Sequence, residues 1–178
     1  MHEPWKIESQ ETAFENRWWN ITKDVVRLPD GAIYEYFINH GPDGVIVVPV
    51  GPDGRFFVQQ MYKHGARSAV LEFPMGRIDG DETPADAAAR ELKEETGLAG
   101  TLEPLGSRWV FPSSSASTFH VFLARDVRKV AEPEDNPKEV GEAQWVTAAE
   151  LRALLRDGKL ASLVQDGVAY RALDVIGV

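Results

Sequence analysis

The stretch Gly76–Leu98, GRIDGDETPADAAARELKEETGL, leaves the chain least choice of conformation. Thr83 can cap a helix, Pro84 suits its first position, and Asp86 lies in the first turn, where the helix dipole favours an anion. Ala85, Ala88, Ala89 and Leu92 recur at helical spacing as one apolar stripe, and Gly97 supplies a left-handed stop. The acids break the rule. Glu91, Glu94 and Glu95 stand at i, i+3 and i+4, so three carboxylates project from one face. Two of them occupy the last turn, where an anion costs about 0.3–1 kcal/mol. Arg90 can pair with Glu94, and Lys93 is close by, but neither dissolves the cluster. A solvated acidic face is the ordinary explanation of such a helix. A metal site is the other, because clustered carboxylate oxygens suit Mg²⁺ or Mn²⁺.

The rest of the chain reads as alternating strands and turns, with helices appearing late. Residues 1–17 are polar with scattered aromatics, a loose arm or an edge element. Trp18–Leu28 and Ala32–Asn39 read as a hairpin about Pro29-Asp30-Gly31. Val45–Val50 is a continuous apolar run, suited to a strand buried on both faces, and Arg55–Tyr62 is a second core strand. A short strand over Ala69–Met75 delivers Glu72. Strands follow over Leu102–Val110, Thr118–Arg125 and Val140–Val146, with Trp109 and Trp145 expected in the core. Thr147 and Glu150 form a capping box for a helix to about Arg156, and a last helix covers much of 161–175.

The 178 residues are 43% hydrophobic, enough for one good core, so a single domain over 1–178 is expected: an arm and hairpin over 1–40 and a core over 41–178. A net charge of −9 argues against a nucleic-acid polymer as partner but not against a small phosphorylated one. Cysteine is absent, which excludes disulfides, thiolate metal sites and a cysteine nucleophile. The opening MHEPWKIESQ has no apolar signal core and no run reaches transmembrane length, so no membrane role and a cytoplasmic location are expected.

One longer pattern turns the balance toward metal. Gly76, five residues, Glu82, seven residues, Arg90-Glu91-Leu92, one residue, Glu94-Glu95, one residue and Gly97-Leu98 resembles the Nudix box at every defining position. The resemblance implies an α/β fold, an α/β/α sandwich with a mixed sheet plus the N-terminal hairpin, and metal-dependent hydrolysis of a diphosphate linked to another group. It implies Glu91 and Glu95 as main metal ligands, Glu94 as a ligand or water-orienting acid, and a contribution from the Met75 carbonyl. Gly76, Glu82, Arg90 and Gly97 are then structural members of the motif.

The flanks resemble the ADP-ribose and nucleoside-diphosphate-sugar pyrophosphatase branch. Glu72-Phe73-Pro74-Met75-Gly76 is similar to that branch's lead into the box, and Pro112 falls fifteen residues after Gly97. That branch usually has Pro-Gly with a glutamate four positions later; here Pro112-Ser113 and Ser117 stand instead. The resemblance implies a homodimer, Trp18, Trp19 and Tyr36 in base recognition, and Glu72 and Pro112 in the substrate site; at least one of the adjacent tryptophans is expected in ordinary strand packing, because neighbouring strand residues face opposite ways. Lys63 and Arg67 precede the box and suit phosphate or a terminal ribose, Arg67 the better for its planar fork. Of the late acids, Glu139 is the first choice for a general base and Glu142 the second. Three functions stay open: a pyrophosphatase of ADP-ribose or another nucleotide sugar, a hydrolase of dinucleoside polyphosphates or RNA 5′ ends, and a non-catalytic nucleotide-sensing module.

Overall fold

The computed structural model describes residues 5–134 and 141–178. It holds two compact units: the chain up to Asp43 with Trp109–Thr118, and Gly44–Arg108 with Phe119–Val178. Among the described residues no helix is long and apolar enough to cross a membrane.

The first unit is an antiparallel sheet of β1 (Lys6–Glu15), β2 (Asn20–Arg27) and β3 (Ile33–Asn39), in that order. The N-terminal segment is therefore an edge strand of a three-stranded sheet. Buried Asp24 on β2 ties it in, accepting from Gln10 Nε2 and Thr22 Oγ1, each at 2.9 Å. The structure departs from the expected hairpin at Trp18 and Trp19, which precede β2 rather than opening it. Asn16 explains this: its Oδ1 accepts the backbone N–H groups of both tryptophans at 2.8 Å, which curls the chain into the β1–β2 turn. Both indoles are exposed, and Arg17 lies 4.7 Å over the Trp18 ring. The 111–117 loop is pinned to the end of β3, with Asn39 N–H bonded to Ser114 O and Ala116 N–H to Asn39 O.

In the second unit, β4 (Gly44–Pro49) pairs antiparallel with β7 (Met75–Arg77) and parallel with β9 (Thr118–Lys129), and β8 (Leu98–Trp109) completes a mixed sheet ordered β7-β4-β9-β8. A second sheet runs β10-β5-β6, from β5 (Phe56–Lys63), β6 (Ser68–Glu72) and β10 (Gly141–Val146). The expected 69–75 strand is thus split: β6 ends at Glu72, and the chain changes sheets through Phe73-Pro74.

The apolar run of β4 is buried throughout, as its composition demands. Val45 and Val47 pack with Ala87, Ala88 and Leu92 of α1 (Pro84–Thr96). Ile46 and Val48 face the opposite way, toward Leu151 and Leu155 of α2 (Ala148–Arg156) and Val168, Ala169 and Leu173 of α3 (Leu163–Ile176). Sheets between helical layers form the α/β/α arrangement that the resemblance implies. Each fully buried Val or Ile here contributes about 1.5–3 kcal/mol over its exposed state.

Helix α1 starts and stops where its sequence says, with the Thr83 hydroxyl accepting from Asp86 N–H and Gly97 left-handed at φ 70°. A side chain at Gly97 would also strike the carbonyl of Ala131. Its buried stripe differs from expectation. Ala85 and Ala89 are exposed, whereas Ala87, Ala88, Leu92 and Thr96 are buried. The contact face is rotated toward the acids, so Glu91 lies at the edge of the packed surface rather than on a solvated face. The Thr147–Glu150 capping box of α2 forms as expected. Two tryptophans expected in the core are not enclosed: Trp109 is 66% exposed, and Trp145 is 38% exposed with its ring edge-on to Phe57.

Gln165 is the one polar residue on the buried face of α3, 1% exposed. Its Oε1 accepts from Phe73 N–H at 2.9 Å and its Nε2 reaches Met75 Sδ at 3.4 Å, which fixes the lead into β7. Gln165→Leu keeps the volume but orphans a buried N–H. A loss of about 1–3 kcal/mol is expected, read as a lower urea midpoint at unchanged m-value.

Candidate active site

The acids of α1 are organised by Arg90. Its guanidinium forks onto Glu82, Nε to Oε1 and Nη2 to Oε2, each at 2.9 Å. Nη1 donates to Glu91 Oε1 at 2.8 Å and to Glu94 Oε2 at 3.1 Å, and Nη2 also donates to the Arg77 carbonyl at 2.9 Å. A planar group with five donors can serve the loop and the helix at once, which a lysine could not. Ion-paired first with Glu82, and also with Glu91 and Glu94, Arg90 holds its proton more tightly than a free guanidinium.

Glu82 is shifted the opposite way. The hydrogen bonds from Arg90, and secondarily the Asp79 N–H, hold its carboxyl below the usual carboxylate range. A carboxyl that titrates lower when folded stabilises the protein fully above its unfolded pKa of about 4.3, and that stability is lost as pH falls through the folded value. Glu82→Gln is therefore expected to lower the urea midpoint at pH 7 and to match the natural chain once the pH lies below the folded pKa. A difference that persists undiminished at the acid end would show that the effect is not ionic.

Two further contacts set the carboxylates. Gly76 on β7 is the cross-strand partner of Val45, whose side chain faces α1. A Cβ built on Gly76 would overlap the Glu91 carboxylate, so glycine at 76 is the space that Glu91 fills. Glu91 is only 13% exposed at its side chain and Glu94 36%. On the other side, Gln59 Nε2 donates to Glu95 Oε2 at 2.5 Å. Gln59 is 4% exposed on β5, opposite Glu72 of β6 and on the same face. Glu72, itself 1% exposed, is ion-paired with Lys63 at 2.6 Å. Gln59 was not anticipated; its signal was a polar residue following Phe56-Phe57-Val58 inside a buried strand.

The residues named from sequence fall into separate groups. Arg90, Glu91, Glu94 and Glu95 on α1, Gly76 and Met75 on β7, and Glu82 in the loop between these two elements belong to one continuous arrangement. Glu142 does not join it: it pairs with Gln60 on β10–β5, and the pleat turns that pair away from the face that carries Gln59. Glu139 lies outside the described residues. Arg67 is at the exposed tip of the β5–β6 hairpin with φ 51°, and Lys63 is the cation that reaches Glu72.

Tyr36 and Pro112 lie in the first unit, where with Trp5, Ile7, Val26 and Ile38 they line a cleft of about 340 Å³ that also contains Asp24. The Tyr36 ring is 5.8 Å from Trp5 and 4.9 Å from Tyr34. Reading residues 1–17 as a loose arm or an edge element gives Trp5 no site role, although Trp5 and Ile7 alternate as strand residues do. Trp18 and Trp19 are not part of that cleft's lining.

Whether a divalent cation suits these residues can be tested on the donors. Among the described residues no three acid or histidine side chains converge on one point; Arg90 Nη1 is bonded to both Glu91 and Glu94, and Gln59 to Glu95. The donors themselves are hard carboxylate oxygens on adjacent turns of one helix, with Glu91 seated in the gap above Gly76. They fit Mg²⁺ or Mn²⁺ in kind, once the Arg90 and Gln59 hydrogen bonds are exchanged for metal contacts.

A capped acidic helix fed by a glycine strand, set against a mixed sheet, defines a class. The NUDIX domain family matches residues 41–165, and the nucleoside diphosphate sugar hydrolase N-terminal domain matches residues 5–39. The chain belongs to the Nudix family and is a hydrolase of that family. Among its relatives, an ADP-ribose pyrophosphatase of Mycobacterium tuberculosis is 31% identical over 164 residues, covering 90% of this chain and 79% of that protein. A CMP-5′-(N-acetyl-N-hydroxy-3-aminopropyl)phosphonate hydrolase of Streptomyces rubellomurinus is 29% identical over 177 residues, covering 98% and 83%. The crystal structure of an ADP compounds hydrolase superposes with a TM-score of 0.87 at 24% identity, over 98% of this chain and 95% of that one, and so shares the fold.

Proposed function

We propose that this chain hydrolyses the pyrophosphate bond of ADP-ribose or a related nucleoside diphosphate sugar, giving a nucleoside monophosphate and a sugar phosphate. The observation that carries the reading is the set of Glu91, Glu94 and Glu95 on one face of α1, with Gly76 clearing the space for Glu91. Relatives named for ADP-ribose and for a cytidylyl phosphonate, and the match of residues 5–39, support a small nucleotide derivative as substrate.

Glu91 and Glu95, with Glu94 and the Met75 carbonyl, would hold Mg²⁺ or Mn²⁺. Such an ion offsets the charge of a diphosphate and acidifies a bound water. Glu94, more exposed at its side chain than Glu91, is the acid that orients the attacking water. Arg90 keeps Glu91 and Glu94 from repelling one another before substrate arrives. Glu139 is the proposed general base. The aromatic walls of the Trp5–Tyr36–Pro112 cleft suit the flat face of a base, and Arg67 suits phosphate. The working molecule is proposed to be a homodimer, expected as twice the chain mass in light scattering.

The Pro112-Ser113 and Ser117 sequence, where the branch usually has Pro-Gly and a glutamate, favours a nucleotide sugar other than ADP-ribose as a second reading. A panel of ADP-ribose, GDP-hexoses, CDP- and UDP-sugars, dinucleoside polyphosphates and nucleoside triphosphates with Mg²⁺ tests both. Nucleoside monophosphate release from a sugar nucleotide is the expected result. Pyrophosphate release from triphosphates, with every sugar nucleotide intact, would overturn the proposal.

A further inference from the structure

The sheet face opposite α1 carries a second concavity, in the same unit as the acids but across β4 from them. It encloses about 330 Å³ between β4, β8, β9 and α3, and Ile46, Phe119, Val121, Val164 and Val168 supply its apolar walls. Ile46 faces into it, while its neighbours Val45 and Val47 pack on α1.

Three features of this groove have no explanation in the fold. Gly167 lies inside α3, where glycine weakens a helix, yet a Cβ built there would meet nothing within 4 Å. Packing does not require a glycine; its missing side chain is what opens the groove. Leu163, one turn earlier on the same row, is 89% exposed at the rim, the highest exposure of any large hydrophobic residue described. Arg171, one turn later, and Arg108 from β8 bring two guanidinium groups to the same rim in a chain of net charge −9. Arg171 also reaches Asp174 at 3.2 Å, and Arg108 Nη1 donates to the Ser107 carbonyl at 2.7 Å.

We propose that this groove is a binding site for a small amphipathic anion, an aromatic or aliphatic body carrying one acidic group, separate from the acids of α1. The body displaces water from the valine-lined wall, and the acidic group lies between Arg108 and Arg171. Guanidinium forks recognise carboxylate, sulfonate and phosphate oxygens alike. The inference does not depend on the proposed substrate.

Anilinonaphthalene sulfonate has this chemistry and reports an apolar site by its fluorescence. A single saturable class of enhanced fluorescence is expected with the natural chain. Gly167→Leu, which projects a side chain into the groove, is expected to abolish it. Arg108→Ala and Arg171→Ala are each expected to weaken it roughly tenfold. Gly167→Ala is expected to melt about 2–4 °C higher than the natural chain, and Gly167→Leu to melt no lower than the natural chain with the same far-ultraviolet circular dichroism, which separates lost binding from unfolding. Enhancement that persists in Gly167→Leu, or that AMP displaces, would overturn the proposal. So would a lower assembled mass for Gly167→Leu than for the natural chain in sedimentation, since the face would then be an interface between copies.

Discussion

Replacing Glu95 by glutamine is expected to lower turnover about a hundredfold or more, a loss of roughly 2.7 kcal/mol in transition-state stabilisation. The far-ultraviolet circular-dichroism signal and melting temperature are expected to stay where they are. The reason lies in what the substitution keeps. Glu95 Oε2 accepts a hydrogen bond from Gln59, and a glutamine amide oxygen can accept the same bond at the same length of side chain. Only the charge is lost. Glu94→Gln is expected to behave alike, trading its ion pair with Arg90 for a hydrogen bond from the guanidinium to a neutral amide oxygen. Titration calorimetry with Mn²⁺ separates a cation-holding role from any other, since affinity should fall in the same variants. Unchanged turnover in both would remove the acidic helix from the chemistry.

Gly76→Ala is the sharper test, because stability and activity are expected to part company. The overlap produced by a Cβ at 76 falls on the Glu91 carboxyl group, the free end of a flexible side chain, not on backbone. A rotamer change relieves it, so the urea midpoint should move little. The displaced group, however, is one of the proposed cation ligands and a partner of Arg90. A shift of about 1 Å in such a group can cost on the order of a hundredfold in rate. A variant that folds normally and turns over normally would show that the position of Glu91 is unimportant. One that fails to fold would show that Gly76 is needed by the backbone rather than by the carboxylate.

What could be read from the sequence was set by interactions close along the chain. Thr83, Pro84 and Gly97 define α1 within one turn of themselves, and the Thr147–Glu150 box does the same for α2. The partners of these cap residues are three or four positions away, so spacing alone reveals them. The buried stripe of α1 was misread by one face because alanine is equally at home exposed or packed; only the neighbouring β4 decides between Ala85 and Ala87. The partners of Gln59 and Gln165 are hidden in the sequence for a related reason. Each is polar on a buried face, and its partner is far off in sequence, 36 residues away for Gln59 and 92 for Gln165. The β propensity of Trp18 and Trp19 predicts a strand there. A single asparagine two residues earlier outweighs that propensity by collecting two backbone N–H groups.

The change of sheets at Phe73-Pro74 gives this segment a fixed length. Upstream, Glu72 is held in register against Gln59; downstream, Gly76 is held against Val45. The residues between are fastened as well, Phe73 N–H to Gln165, Pro74 carbonyl to Val47 N–H. One inserted or deleted residue would have to shift one of two strands by a step, and a one-step shift turns every side chain of that strand to the other face. Either Glu72 would leave Lys63 or the clearance beneath Glu91 would close. Changes in chain length are therefore barred from 72–76 and find room instead at the open β5–β6 hairpin tip around 64–67.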